Sequence, residues 1–311
     1  MNNADSTFEI PDPGYHTPVL YNECLDALNI KPDGIYVDCT FGGGGHSRGI
    51  LNKLNQNGRL IAFDQDADAQ NNLPEDERLI FVPENFRHLQ RFLRLYKFKE
   101  VDGVLADLGV SSHQFDEGKR GFSIRFSGPL DMRMDRRQHL TAADILHTYS
   151  AEQLHKLFEK YGEVTNAKTI ARHIVQYRNQ ASLKTIEEFR ALLNPVIKGN
   201  PNKYLAKVFQ ALRIEVNDEI TALKEMLQQA RDLLRSGGRI AVVTFHSIED
   251  RLVKNFFRSG VFETPEHQSL GQQEIKNELR IITKKPLTSS REEMIKNPRA
   301  GSAKLRVAEK I

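Results

Sequence analysis

Residues Val37–Ser47 read VDCTFGGGGHS: four consecutive glycines just after a short apolar run, followed by the helix-like SRGILNKL. Four glycines cost more backbone entropy than an ordinary turn requires, so something must approach this backbone too closely for side chains. Strand, glycine turn, helix and then an acid about twenty residues further on is the general arrangement for holding a nucleotide. Asp64 is that acid, at the end of a second apolar run, RLIAFDQD, placed to accept hydrogen bonds from ribose hydroxyls. Working outward, RLIFVPENF and VDGVLADLGV read as third and fourth strands. Short apolar strands alternating with helices predict an α/β fold whose parallel sheet is covered on both faces.

The pattern resumes late in the chain. Between Asn217 and Leu234, apolar residues at 220, 223, 227, 230 and 234 form one stripe of a helix. RSGGRIAVVTF follows, with Gly237 and Gly238 expected to end that helix and open a fifth strand. LRIITKKPL and AKLRVAEK predict two more strands, an antiparallel hairpin at the sheet edge. About 130 residues separate strands four and five, far more than one crossover needs. They carry helix signals of their own: capping boxes at Ser150/Gln153 and Thr185/Glu188, and a stripe at Ala167, Ile170, Ala171 and Ile174. The expectation is an inserted all-helical domain, 139–207, within a discontinuous α/β domain, 1–138 and 208–311. Ser111 to Asp135 has no clean period and is rich in Gly, Phe, Arg and Asp. An irregular loop after a strand's carboxyl end is where α/β proteins usually keep their active sites.

With 27% charged and 39% hydrophobic residues among 311, the composition is that of a soluble globular protein. The start, MNNADSTFEIPDPGYHTP, lacks the basic and apolar regions of a signal peptide, and no apolar run approaches a membrane span. Two cysteines, Cys24 and Cys39, stand in no metal-ligand spacing, so a reduced cytoplasmic protein with no metal is expected. Net charge is only +3, but it is unevenly spread. Lys276 to Ile311 holds ten Lys or Arg against four Glu, an excess of six, and FRHLQRFLRLYKFK interleaves Arg87, Arg91, Arg94 and Lys97 with a helical stripe. Two basic patches point to an anionic partner.

The glycine spacing is not the G-x-G-x-x-G whose helix meets a pyrophosphate. Asp38 ahead of TFGGGG is similar to the D/E-x-G-x-G-x-G motif of class I (Rossmann-like) methyltransferases, which use S-adenosylmethionine. That cofactor has no phosphate; its amino-acid end and ribose need backbone contact, and its sulfonium suits nearby carboxylates. Asp107 ends the fourth strand, where a carboxylate can accept hydrogen bonds from an amino group and align its nitrogen for in-line transfer. Base-directed amino-methyltransferases often carry D/N/S-P-P-aromatic there. This chain has DLGV, so a stacking ring is expected elsewhere, from Phe115, Phe122 or Phe126. Phe86 is expected against adenine, and His246, after the fifth strand, against substrate or as a proton carrier. Asp131, Arg133 and Asp135 are expected to form a loop-stabilising ion network.

HTPVL (16–20), DCTFGGGGHS, DLGVSS, RGFS, GPLDMRMD, FQALRIEVNDE, SGGRIAVVTFHSIEDR and NPRAGSAKLR occur in order across nearly the whole chain. Together they resemble the RsmH (MraW) family of bacterial 16S ribosomal RNA cytosine-N4 methyltransferases. The resemblance implies methyl transfer from S-adenosylmethionine to N4 of a decoding-centre cytidine, in the small subunit or its RNA. It implies cofactor contacts at Gly44, Gly45, His46, Asp64, Phe86, Asp107 and Gln114. Asp107 and His246 are the candidate catalytic residues. The chain departs from the family at Gly301 and at Lys207, both positions where an arginine is usual. The alternatives are a methyltransferase acting on protein or a small molecule, and a non-catalytic RNA-binding factor. Monomer and homodimer both remain open.

Overall fold

The computed structural model describes residues 18–180, 182–262 and 277–311; His16, Thr17 and Lys276 lie outside the described residues. The first part alternates as expected: α1 (Tyr21–Leu28), β1 (Ile35–Asp38), α2 (Gly45–Lys53), β2 (Arg59–Phe63), β3 (Leu79–Val82), α3 (Leu89–Leu95) and β4 (Val101–Asp107). A short α4 (Ser112–Asp116) precedes a helical stretch: α5 (Ala142–Thr148), α6 (Ala151–Lys160), α7 (Ala167–Tyr177), α8 (Ile186–Leu193) and α9 (Pro201–Asn217). The chain then returns through α10 (Glu219–Leu233), β5 (Leu234–Thr244), α11 (Ser247–Ser259), β6 (Leu279–Ile281), α12 (Arg291–Lys296) and β7 (Lys304–Lys310).

The seven strands form one sheet in the order β3-β2-β1-β4-β5-β7-β6. Pairs among β1 to β5 are parallel, while β7 runs antiparallel to both β5 and β6. The last two strands are therefore an antiparallel pair at the edge, with β7 threaded inside β6. Side chains alternate between two apolar layers, as the strand period demands. Val37, Ile61, Val104 and Val242 face a core filled by α3, α10 and α11, whereas Tyr36, Leu60, Leu105 and Ala241 face α1 and α2. Burial on both faces explains why these strands read as unbroken apolar runs.

Both expected capping boxes are formed, at Ser150/Gln153 and Thr185/Glu188. The helices they open share a separate core with α7 and α9, built on Phe158, Ile170, Phe189 and Val208. That core reaches past 139–207 on either side. It takes in Phe122, Leu130 and Met132, and position 207/208 falls inside the unbroken α9. The fifth strand also begins earlier than expected. α10 ends at Leu233, and Leu234 already pairs with Val101 before Arg239 pairs with Gly103. The glycines serve this bulge, with Gly237 at φ +77°, rather than terminating the helix.

Candidate active site

The parallel strands bring the carboxyl ends of β1, β2 and β4 to one rim, where a cavity of about 770 Å³ opens. At the end of β1, buried Asp38 receives the Thr40 N–H at 3.0 Å and the Ser47 hydroxyl at 2.7 Å, bracing the glycine turn from below. Gly42 and Gly44 take φ of +51° and +75°, which side chains other than glycine resist. The demand for missing side chains comes largely from the protein itself. A Cβ on Gly44 would sit 2.8 Å from the Phe41 ring, and one on Gly45 would sit 2.2 Å from Pro18 Cγ. Gly42 has open space in front of it, with Ser111 Cβ 3.9 Å away.

Asp64, after β2, accepts the Gly42 N–H at 2.7 Å on one oxygen and the Asp66 N–H at 2.8 Å on the other. Each oxygen keeps one lone pair for a ribose hydroxyl. Burial pushes its carboxyl up to about 6 against these two bonds, and Asp66 and Asp38 add repulsion. Asp66 is a second acid that sequence reasoning missed. It accepts Gln114 Nε2 at 2.6 Å and the Arg120 guanidinium at 2.7 Å. Gln114, which also forms the capping box of α4 with Ser111, therefore spends its amide on bracing. Arg120, 2% exposed, further binds Asp68 at 2.9 Å and the carbonyls of Arg133 and Met134. The irregular loop after β4 is thus bolted to the end of β2 by one buried cation. RGFS carried that arginine in plain view, but nothing local showed that Asp66 would be its partner.

Asp107, at the end of β4, has the opposite surroundings. Its backbone N–H donates to Thr40 Oγ1 at 2.7 Å, which ties β4 to the glycine turn. Its Oδ1 is buried with no partner among the described residues. Burial, then Asp38 and Glu249, push its carboxyl up to about 8. His46 Nδ1 lies 3.7 Å from Oδ2, but burial pushes His46 down to about 4. Both groups are then uncharged near neutrality, and the contact is not an ion pair. His46 Nε2 is likewise buried without a partner.

Phe86 lines the cavity, as do Phe41 and Phe245. The rings expected in the irregular loop do not. Phe115 lies under Arg299 at 4.8 Å, Phe122 joins the helical core, and Phe126 is 39% exposed beside Gly118. His246 sits at the N-cap of α11, its Nδ1 accepting the Glu249 N–H at 3.4 Å. Its Nε2 is 3.1 Å from Glu249 Oε1 yet misaligned for a hydrogen bond. Phe245 and Glu249 line the cavity on either side of it, whereas His246 does not. His246, Glu219 and Glu249 bring possible metal ligands within 4.8 Å, but Arg213 already grips Glu219 with two bonds of 2.8 and 2.9 Å. The expected Asp131–Arg133–Asp135 network resolves into two pairs: Arg133 forks onto Asp131, and Asp135 binds Arg137.

Buried acids around a cavity attract a cation, and the two unpartnered atoms on Asp107 and His46 call for a ligand. The carboxylate-rich lining fits a sulfonium and ammonium compound with ribose hydroxyls. A parallel sheet with one antiparallel strand beside the edge, a glycine turn after β1 and an acid after β2 defines the class I, S-adenosylmethionine-dependent methyltransferases. The family profile described as the MraW methylase family matches residues 14–311, and the chain belongs to that family. It is 51% identical over 298 residues to "Ribosomal RNA small subunit methyltransferase H" of Bacteroides thetaiotaomicron, covering 95% of this chain and 97% of the relative. The relative of the same name from Porphyromonas gingivalis is 53% identical over 305 residues, covering 96% and 97%. Among solved structures, a putative rRNA-methylase from Clostridium thermocellum aligns over 96% of this chain and 100% of its own, at 13% identity and a TM-score of 0.43. S-adenosylmethionine is the cofactor of this methyltransferase.

Proposed function

We propose that the protein transfers a methyl group from S-adenosylmethionine to the exocyclic N4 of a decoding-centre cytidine in 16S ribosomal RNA. The name shared by its relatives supports a small-subunit RNA substrate. The observation that carries the choice of an amine is Asp107: a carboxyl at the cavity rim, with a buried oxygen that has no partner among the described residues.

Asp64 holds the ribose, Phe86 flanks the adenine, and Gly44, Gly45 and His46 present the backbone and first helical turn to the amino-acid end. Gln114 acts at one remove, through Asp66. The cofactor supplies an electrophilic methyl on a positively charged sulfur. That charge favours the ionised form of Asp107, which accepts a hydrogen bond from the incoming N4. The bond counters delocalisation of the nitrogen lone pair into the ring and orients it for in-line attack. Moving the methyl to N4 would break the S–CH3 bond, the sulfur keeping that pair as a neutral thioether, and leave N4 with one proton too many, which a carboxylate whose affinity for protons is raised is suited to take. Because N4 is hidden in a stacked helix, the cytidine must be unstacked or already exposed. The helical unit centred on 139–207 is the substrate-side domain in this reading, His246 reaches the reaction only through Glu249, and the enzyme works in the cytoplasm. No helix among the described residues is long and apolar enough to cross a membrane.

Incubation with labelled cofactor and unmodified small subunits, followed by mapping of the nucleotide, tests this. Label on N4 of one cytidine is expected; label in protein, or on another atom of the RNA, would refute it.

A further inference from the structure

Six cations of the basic patches prominent in the sequence are held by acids within the protein. Arg87 is held by Glu225 at 2.7 Å and Asp218 at 3.0 Å, across to α10. In the C-terminal stretch, Arg306 and Lys304 bind Asp250, Arg280 binds Glu309, Lys310 binds Glu278 and Arg299 binds Asp116. A quieter set of cations is not spent. On α11 the buried residues Ile248, Glu249, Val253, Phe256 and Phe257 face the core, which turns Ser247, Arg251, Lys254 and Arg258 outward. Among the described residues neither Lys254 nor Arg258 has an acidic partner within ion-pair distance. The one acid of that face, Asp250, is held by Arg306 at 2.6 Å.

The row starts two residues beyond Phe245, which lines the cavity, and runs about 16 Å along the helix at 1.5 Å per residue, although its own side chains lie outside the cavity lining. At its head stands Glu163, from the turn between α6 and α7. Its carboxylate accepts the Ser247 hydroxyl at 2.9 Å and lies 3.5 Å from Arg251. Lys207 of α9 donates to the Glu163 carbonyl at 3.2 Å, so the helical unit meets the row at the same point. Glu163 holds this place in a left-handed backbone conformation, φ +48°, that a non-glycine residue adopts at some cost. A negative group is thus placed between a hydroxyl and a guanidinium at a helix start, as a phosphate would be.

We propose that the exposed face of α11, from Ser247 through Arg251 and Lys254 to Arg258, is the track for the phosphates of the RNA strand entering the cavity. Glu163 occupies the first phosphate position when RNA is absent. The inference rests on the ribosomal RNA reading above and assigns that RNA a path. Phosphate contacts of this kind fix register without reading sequence, so the track places the strand while the cavity selects the base. The partner is a single strand, because a cytidine whose N4 must be unstacked or already exposed is what enters the cavity.

The test uses the intact enzyme and a cytidine-containing single-stranded RNA oligonucleotide, with affinity measured from 50 to 300 mM salt. Lys254→Gln/Arg258→Gln is expected to weaken binding about tenfold and to reduce the log–log salt slope by about 1.4, two contacts at 0.7 each. S-adenosylmethionine affinity and melting temperature are expected to stay at parental values. Glu163→Gln is expected to act in the opposite direction, tightening RNA binding two- to fivefold. Parental affinity and salt slope in the double variant would overturn the track, as would failure of the parent to bind the RNA. A parent that methylates N4 while the double variant binds normally refutes the track alone. A parent that binds through the row yet methylates no N4 refutes the reading it rests on and leaves the track standing.

Discussion

The ends of β2 and β4 make an instructive pair. Each carries a buried aspartate on the same rim of the same sheet. Asp64 is given two backbone donors, and behind it Asp66, Gln114 and Arg120 form a satisfied network. Among the described residues, Asp107 has neither cation nor side-chain donor, its histidine neighbour is uncharged, and one oxygen is left bare. A protein that needed only to hold a ligand would satisfy both. Leaving one acid costly to ionise reserves it for a partner that arrives with the substrate or cofactor.

The comparison breaks first at Asp107. Asp107→Asn is expected to lower single-turnover methylation by at least about a thousandfold, while cofactor affinity measured at about pH 6, where Asp107 holds its proton, changes by less than about threefold. Equal losses in both would mean that the two ends do the same work. Arg120→Met strands Asp66 and Asp68, and is expected to cost about 3–5 kcal/mol of stability in denaturant unfolding. Arg120→Lys should recover part of the stability while leaving cofactor affinity reduced, since an ammonium lacks the fork that reaches Asp66, Asp68 and two carbonyls. Asp64→Ala should weaken S-adenosylmethionine binding about ten- to a hundredfold by calorimetry, with the rate at saturation nearly unchanged.

The smallest effect concerns pH. Asp107 in the folded, cofactor-free protein holds its proton up to about 8, against about 4 when unfolded. Its folded value is the higher one, so its contribution to stability is complete below about pH 4 and is lost as pH rises through 8. Asp107→Asn is therefore expected to melt a few degrees higher than the parent at about pH 8.5, the gap narrowing as pH falls toward about 4, in the absence of cofactor. The same linkage predicts that S-adenosylmethionine gains affinity over its uncharged-sulfur product, S-adenosylhomocysteine, between pH 6 and 8, by up to about tenfold. A flat ratio would remove Asp107 from the neighbourhood of the sulfonium.

What could be read from the sequence follows the range of each interaction. All seven strands, both capping boxes and the stripe of α7 were legible, because their signals lie within a few residues. The end of α10 was misplaced because Leu234 continues the apolar stripe, and only Val101, far back in the chain, claims it for the sheet. Arg87 looked like a surface cation because its partners Glu225 and Asp218 are more than a hundred residues away. The stacking rings failed similarly: an irregular loop gives no period from which to tell which phenylalanine turns inward. The placing of Asp64 and Asp107 at strand ends that line the cavity was legible, since a strand end is a local signal. Their contrast was not, since it depends on which other strands deliver donors.

The joining of β4 to β5 bears on how the protein reaches this state. These neighbours in the sheet are separated in the chain by the whole helical unit. An unstructured segment of that length must be closed before the strands can gain anything from pairing, which slows the search. The helical unit has its own core and local contacts, so it can assemble early and shorten the effective loop. A cavity in that core, such as Phe158→Ala, would then retard refolding of a sheet it does not touch. The insertion would serve as a kinetic clasp for the fold.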